Sequence, residues 1–146
     1  FNEMFTEAGG AFVSSTYLWF ASGGTDTGFE YSLERPLESL AEGVLINVRH
    51  AMDSMFFQDR VLAEMVGSYR VDGVVYHPIK SCRTVSAGLA DNRRALLETT
   101  DVACLFIESD MMDKRVVSEA QLKNRIDAFF EGLASRKRVA AVGASS

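Results

Sequence analysis

Two cysteines, two histidines and a scatter of carboxylates carry the reactive chemistry of these 146 residues, and spacing singles out one thiol. Cys82 closes the stretch VDGVVYHPIKSCR at 71–83, after a short apolar run and between Lys80 and Arg83. Positive neighbours and a helix amino end both favour the thiolate, the form that binds metal or attacks an electrophile. Cys104, inside the apolar run VACLFIES at 102–109, reads as a small hydrophobe of the core. No second cysteine stands near Cys82, so there is no CxxC pair and no self-contained zinc or iron–sulfur site. His77 ends the run before Cys82 and is a candidate proton donor. Glu108 and Asp110 end the later run, where they could orient a neighbouring group or approach a substrate. Each also has an ordinary reading: an inert loop cysteine, a structural histidine, solvated charge at Lys80 and Arg83, and Asp110 with Asp113 as caps that terminate a connection. The GxSxG, GxxxxGK[ST] and GxGxxG patterns are absent, so hydrolase, ATPase and dinucleotide-binding readings have no motif behind them.

These residues need elements to hold them. Phe1, Met4, Phe5 and Ala8 recur at helical spacing and stop at Gly9-Gly10, the end of a helix. AFVSSTYLWF at 11–20, β-branched and aromatic between glycines, predicts a strand, and the glycine-rich 21–36 a long loop. Pro36 suits the first turn of a helix through PLESLAEGVLINV. A second helix, capped by Asp53 or Ser54, carries Phe57, Val61, Leu62 and Met65 as far as Gly67. VDGVVYH predicts a strand. After Cys82, Val85, Leu89, Leu96 and Leu97 fall on one side of a helix. The continuous run at 102–109 predicts a strand buried on both faces, as in a parallel sheet. Ser118 and Gln121 have capping-box spacing ahead of a last helix whose stripe is Leu122, Ile126, Phe129, Phe130 and Leu133. RVAAV in the tail suits a last strand or a docked end.

Strands alternating with helices predict one α/β domain over 1–146: three layers, with a mainly parallel sheet of about four strands, Rossmann- or flavodoxin-like. Ligands of such sheets bind beyond the carboxyl ends of the strands, where His77, Cys82, Glu108 and Asp110 fall. The composition, 47% apolar and 24% charged, is that of an ordinary globular domain, and the net charge of −5 argues against a general nucleic-acid binder. No apolar run approaches the roughly 20 residues of a membrane-spanning helix. The cysteine usage and the lack of a basic-then-apolar opening read as a reduced, cytoplasmic protein. The start without Met, in what reads as the back end of a helix, fits a fragment of a longer polypeptide, although a processed chain would look the same.

The run DGVVYHPIKSCRTVSAGLADNRRALLETTDVACLFIESDMMD, followed by QLKNRIDAFFEGL, resembles the carboxyl-terminal domain of the benzoyl-CoA reductase and 2-hydroxyacyl-CoA dehydratase family. The shared pattern is a strand with DGV, a cysteine in the following turn, a helix, a strand ending in ESD, and a final helix with RIDAFFE. The likeness is good over 68–134 and looser before about 35, where only the order of helix, Gly-Gly and strand carries it. HPIKSCRTVS with ESDMMD and KNRIDAFFE is nearer to the benzoyl-CoA reductase branch.

The resemblance implies a [4Fe-4S] cluster held by cysteines from different domains of one subunit. Cys82 matches the ligand of the last domain, with Lys80, Ser81 and Arg83 beside the cluster. It further implies a separate ATP-hydrolysing iron–sulfur activator as electron donor, itself the only site for ATP, and an acyl-CoA thioester bound near the interface with a homologous second subunit. One branch dearomatises benzoyl-CoA; in the other a ketyl radical loses hydroxide. Such a cluster needs about three protein thiolates, and one is on offer. The remaining ligands are therefore expected outside this chain, which alone should be inactive. The family's domain is expected to begin with a strand ahead of the first helix, and without it the exposed sheet edges predict self-association of the isolated piece. No nucleic-acid or membrane partner is expected. Two other classes stay open: a response-regulator-like partner-binding module holding magnesium on Asp72, Glu108 and Asp110, and a noncatalytic assembly subunit.

Overall fold

The computed structural model describes residues 2–21, 29–52, 57–110 and 112–143. In chain order they form α1 (Asn2–Glu7), α2 (Thr16–Ala21), α3 (Pro36–Met52), α4 (Phe57–Tyr69), β1 (Gly73–Tyr76), α5 (Arg83–Ser86), α6 (Leu89–Thr99), β2 (Ala103–Phe106), a 3-10 turn at Lys114–Val116, and α7 (Glu119–Gly143). The strands GVVY and ACLF pair in parallel, with Gly73 opposite Ala103 and Tyr76 opposite Phe106. A parallel pair requires a crossover, and α5 with α6 supplies it. The ladder continues past both strands: the Ile107 N–H donates to the Tyr76 carbonyl at 2.9 Å, and Ile79 bridges Ser109.

Because successive strand side chains point to opposite faces, this short sheet serves two cores. On one face Val75, Leu105 and Ile107 meet Phe5 of α1 and Leu122, Ile126, Phe129 and Phe130 of α7. On the other, Val74, Tyr76, Cys104 and Phe106, together with Val102 just ahead of β2, meet Leu62, Ala63 and Val66 of α4 and Leu89 and Leu96 of α6. The Tyr76 and Phe106 rings, opposite one another across the strands, stack with centroids 4.8 Å apart. The expected helix–sheet–helix layering is therefore present. The sheet has two strands among the described residues, where about four were expected.

Helix α7 runs back along the sheet. The Arg125 guanidinium donates to the Phe106 carbonyl at the carboxyl end of β2, while near the amino ends of the strands Arg136 pairs with Asp101 at 2.6 Å and Lys137 with Asp72 at 2.8 Å. At Gly73 the absent side chain leaves room for the Phe129 ring, which an added Cβ would strike. The predicted stripe of α7 holds from Leu122 to Phe130, with Ile126 almost fully buried, and the helix begins directly after Ser118, whose carbonyl accepts from the Leu122 N–H.

Four expectations are corrected. Segment 11–20 is not a strand: Thr16 starts a helix because the Ser15 hydroxyl accepts the Leu18 N–H at 3.1 Å, a cap that outweighs the β-propensity of the aromatic residues. RVAAV is neither strand nor docked end but the last turns of α7, as its alanines favour once no breaker intervenes. The helix after Cys82 is broken at Gly88, which adopts φ 81°, so that Leu89 and Leu96 pack inward while Val85 and Leu97 are exposed. The helix predicted to stop at Gly67 runs on to Tyr69 and ends at Arg70, in the left-handed region at φ 48°. The Asp53 or Ser54 cap and residues 22–28 of the long loop lie outside the described residues.

Candidate functional site

Beyond the carboxyl ends of β1 and β2 lie two segments, 77–82 and 107–110, that are stitched together. The Lys80 N–H donates to the Ser109 carbonyl at 2.9 Å, and the Ser109 N–H to the Pro78 carbonyl at 3.1 Å. The Ser81 N–H donates to Asp110 Oδ2 at 2.7 Å. Ser86, at the end of α5, reaches back with one hydroxyl that accepts from the Ile79 N–H and donates to the Ile79 carbonyl, both at 2.8 Å. The Cys82 N–H closes a turn onto that same carbonyl at 3.0 Å. Pro78 has no N–H, so every amide donor from 78 to 82 is engaged. Loops with satisfied donors hold one shape, because an unpaired amide away from water is costly.

Cys82 sits at the end of this moored segment, half-buried, with extended backbone ahead of α5 and with no capping bond from its side chain. The helix amino end predicted beside it is a single turn, which carries little of a macrodipole. Lys80, Ser81 and Arg83 flank it with exposed side chains.

Asp110 is the second fixed point. Besides Ser81, it accepts the N–H groups of Met112 at 2.8 Å and Asp113 at 3.1 Å, both on Oδ1. These bonds, that from Met112 foremost, hold its carboxyl below the ordinary carboxylate range. Asp113 caps the following 3-10 turn, binding the Arg115 guanidinium through both oxygens at 2.8 Å. That pair lowers the Asp113 pKa, with a smaller contribution from the charge of Lys80. The capping reading of both aspartates is thus realised, and Asp110 additionally reaches across to the cysteine loop.

His77 lies at the end of β1 with Nε2 2.6 Å from the Ser109 hydroxyl. Although the residue is largely exposed, the shielding of its ring by surrounding protein lowers its pKa. The hydroxyl donates when Nε2 is unprotonated and accepts when it carries the proton. Glu108 is exposed between buried Ile107 and half-buried Ser109.

The structure brings His77, Ser81, Cys82 and Asp110 to one edge of the sheet and leaves Asp72 at the other, ion-paired to Lys137. The magnesium site on Asp72, Glu108 and Asp110 is therefore excluded by topology, since Asp72 precedes β1 while the other two follow β2. Among the described residues no three His, Cys, Asp or Glu side chains gather as a metal site. Cys104 is half-buried in β2 on the α4 and α6 face, its thiol directed to the Val102 carbonyl and its pKa raised by burial. Ser86 and Ser109 escaped the sequence reading. Both lie within the quoted runs, but only the strand register shows what their hydroxyls reach.

Residues 1–133 match the family described as 2-hydroxyglutaryl-CoA dehydratase, D-component. The chain is 30% identical to a benzoyl-CoA reductase polypeptide of Thauera aromatica over 131 residues, which is 90% of this chain and 30% of that protein. It is 32% identical to the alpha subunit of lactoyl-CoA dehydratase of Anaerotignum propionicum over 71 residues, 49% of this chain and 17% of that protein. The matched region thus spans less than a third of either relative.

Proposed function

Since this chain belongs to the 2-hydroxyglutaryl-CoA dehydratase D-component family, we propose that it is part of an enzyme subunit that delivers electrons to an acyl-CoA thioester, with Cys82 as one thiolate ligand of a [4Fe-4S] cluster. The observation that carries this reading is the mooring of Cys82. It is a half-buried thiol on a loop whose amides are all engaged, at the sheet edge where α/β folds bind ligands. The donor chemistry fits one corner of a cluster, since thiolates are the ligands iron–sulfur centres take, and the chain brings one of them to this edge. When bound, the cluster supplies low-potential electrons to the thioester.

The chain's own residues then have distinct tasks. Lys80 and Arg83 offset the negative charge of the cluster, and the Ser81 hydroxyl is close enough in sequence to donate to it. His77, with Nε2 against the Ser109 hydroxyl at this edge, is the candidate proton donor. Glu108 is exposed at the same edge and orients the substrate or a neighbouring group. The other cluster ligands, a homologous second subunit and an ATP-hydrolysing iron–sulfur activator lie outside the chain, and the complex works in the cytoplasm.

Ring reduction of benzoyl-CoA is favoured as the reaction, because the similarity to the reductase polypeptide extends over 131 residues and that to the dehydratase subunit over 71. Dehydration of a 2-hydroxyacyl-CoA is the second reading, supported by the family match. Mass spectrometry separates them. The full-length protein with its partner subunit and activator, given ATP and a reductant without oxygen, should add two hydrogens to benzoyl-CoA and leave lactoyl-CoA intact. Loss of water from lactoyl-CoA alone would select the dehydratase, and inertness toward both would remove the catalytic reading.

A further inference from the structure

The side chains that fix the Cys82 loop are not the basic ones beside the thiol but those of an aspartate and a serine from outside it. Asp110 uses both carboxylate oxygens at once, Oδ2 for the Ser81 amide and Oδ1 for those of Met112 and Asp113. A carboxylate has about four lone-pair sites, and three N–H donors occupy most of them. This carboxylate is thereby committed as a fixed acceptor, and its lowered pKa keeps it in the anionic form that the bonds require. Ser86 clamps the start of the same segment by taking both backbone groups of Ile79. The two side chains come from different parts of the chain, the loop after β2 and the end of α5, and meet the loop on either side of Lys80.

We propose that Asp110 and Ser86 are positioning residues, which hold the 79–82 segment in one conformation so that the Cys82 thiol is presented in a fixed direction before any ligand arrives. This inference rests on the reading of Cys82 as a cluster ligand and adds what orients it. It assigns Asp110 a mechanical role in place of the substrate-facing role open to it from sequence. It also makes an uncommon demand on conservative substitution. An asparagine at 110 has one oxygen where two are used, and its amide nitrogen would face an N–H donor. Either the Ser81 bond or the Met112 and Asp113 bonds must therefore be lost.

The test uses the full-length protein and its Asp110→Asn, Ser86→Ala and Cys82→Ser variants. Hydrogen exchange is read in peptides spanning 78–83, and iodoacetamide labelling of Cys82 is read against Cys104 in the chelator-treated, iron-free protein. The rate of iron loss to chelator is read in the loaded protein. Losing a bond to a charged acceptor should speed exchange at Ser81 and iron loss by about tenfold in Asp110→Asn. Ser86→Ala, a different element with no charge change, should reproduce the same signature. The labelling ratio of Cys82 to Cys104 should move in both variants, whereas general loosening of the fold would move both thiols together. Unchanged exchange and an unchanged ratio in both variants overturn the proposal. If Cys82→Ser leaves the iron content untouched, the ligand reading fails, and exchange with the labelling ratio still decides whether Asp110 and Ser86 position the thiol.

Discussion

Ile126 in α7 and Leu45 in α3 are both aliphatic residues near the middle of long helices, yet the first is 1% exposed and the second 67%. Neither helix propensity nor hydrophobicity separates them. What differs is the presence of a sheet face to pack on. β1 and β2 lie between α4 with α6 on one face and α7 with Phe5 of α1 on the other, so α4, α6 and α7 each bury a stripe. Among the described side chains of α3 the buried positions are instead Ser39 and Gly43: Ser39 accepts the Ser32 N–H at 2.8 Å, and Gly43 leaves room for the Tyr31 ring. Leu37, Leu40 and Val44 are left exposed beside Leu45. The loops that hold Cys82 and Asp110 belong to the packed half, where a site can be kept in one geometry. An amphipathic pattern is thus a capacity for burial, realised only where the topology supplies a partner surface.

The contrast can be broken by substitution. Ile126→Ala removes a side chain from the deepest part of the core and should cost about 2–5 kcal/mol, measured by urea unfolding. A loss below about 1 kcal/mol would mean that the α7 face of the sheet is not the core described. Gly73→Val forces a side chain into the Phe129 ring and the Ala103 carbonyl, and should cost about 1–3 kcal/mol through overpacking and shifted strand pairing. Equal stability would show that β1 and α7 can separate freely.

Acidification sharpens the comparison within the packed half. The folded pKa of His77 lies below its ordinary value of 6.5. Its contribution to stability is therefore present above that value and is lost as the pH falls through the folded pKa. The unfolding midpoint should drop across this window, and His77→Gln should flatten the drop. Asp110 acts in the same sense at lower pH, its contribution present above the ordinary carboxylate pKa and lost as its own lowered pKa is passed. A midpoint rising on acidification between these ranges would contradict both assignments. The smallest effect is expected at Leu45→Ala, within about 0.5 kcal/mol. A cost near that of Ile126→Ala would erase the distinction between the halves.

Much of the packed half was legible from sequence because its signals are local. The DGVVY and VACLFI runs gave both strands, and the stripe from Leu122 to Phe130 gave α7. The placement of Cys82 after a strand end could be read as well. The bonds that join the site could not. Ser81 to Asp110 and His77 to Ser109 depend on the register of two parallel strands separated by a crossover, and register is set by packing and not by spacing along the chain. Segment 11–20 misled because its aromatic and β-branched residues describe what suits a pleated surface, whereas the Ser15 cap decides what forms when no neighbouring strand is at hand. The tail misled because a short apolar run has no period long enough to distinguish strand from helix. The family likeness suggested the cluster and the acyl-CoA substrate class, which the spacing around a single thiol does not name.

The most direct test of the central claim is iron and acid-labile sulfide per polypeptide, with the visible absorption spectrum, on anaerobically prepared full-length protein and its Cys82→Ser variant. About four irons in the unsubstituted protein, with depletion or an altered spectrum in the variant, is the predicted result. A cluster that is unchanged when Cys82 is replaced, or a carefully handled protein that carries no iron, would contradict it and return the moored loop to a purely structural part of the fold.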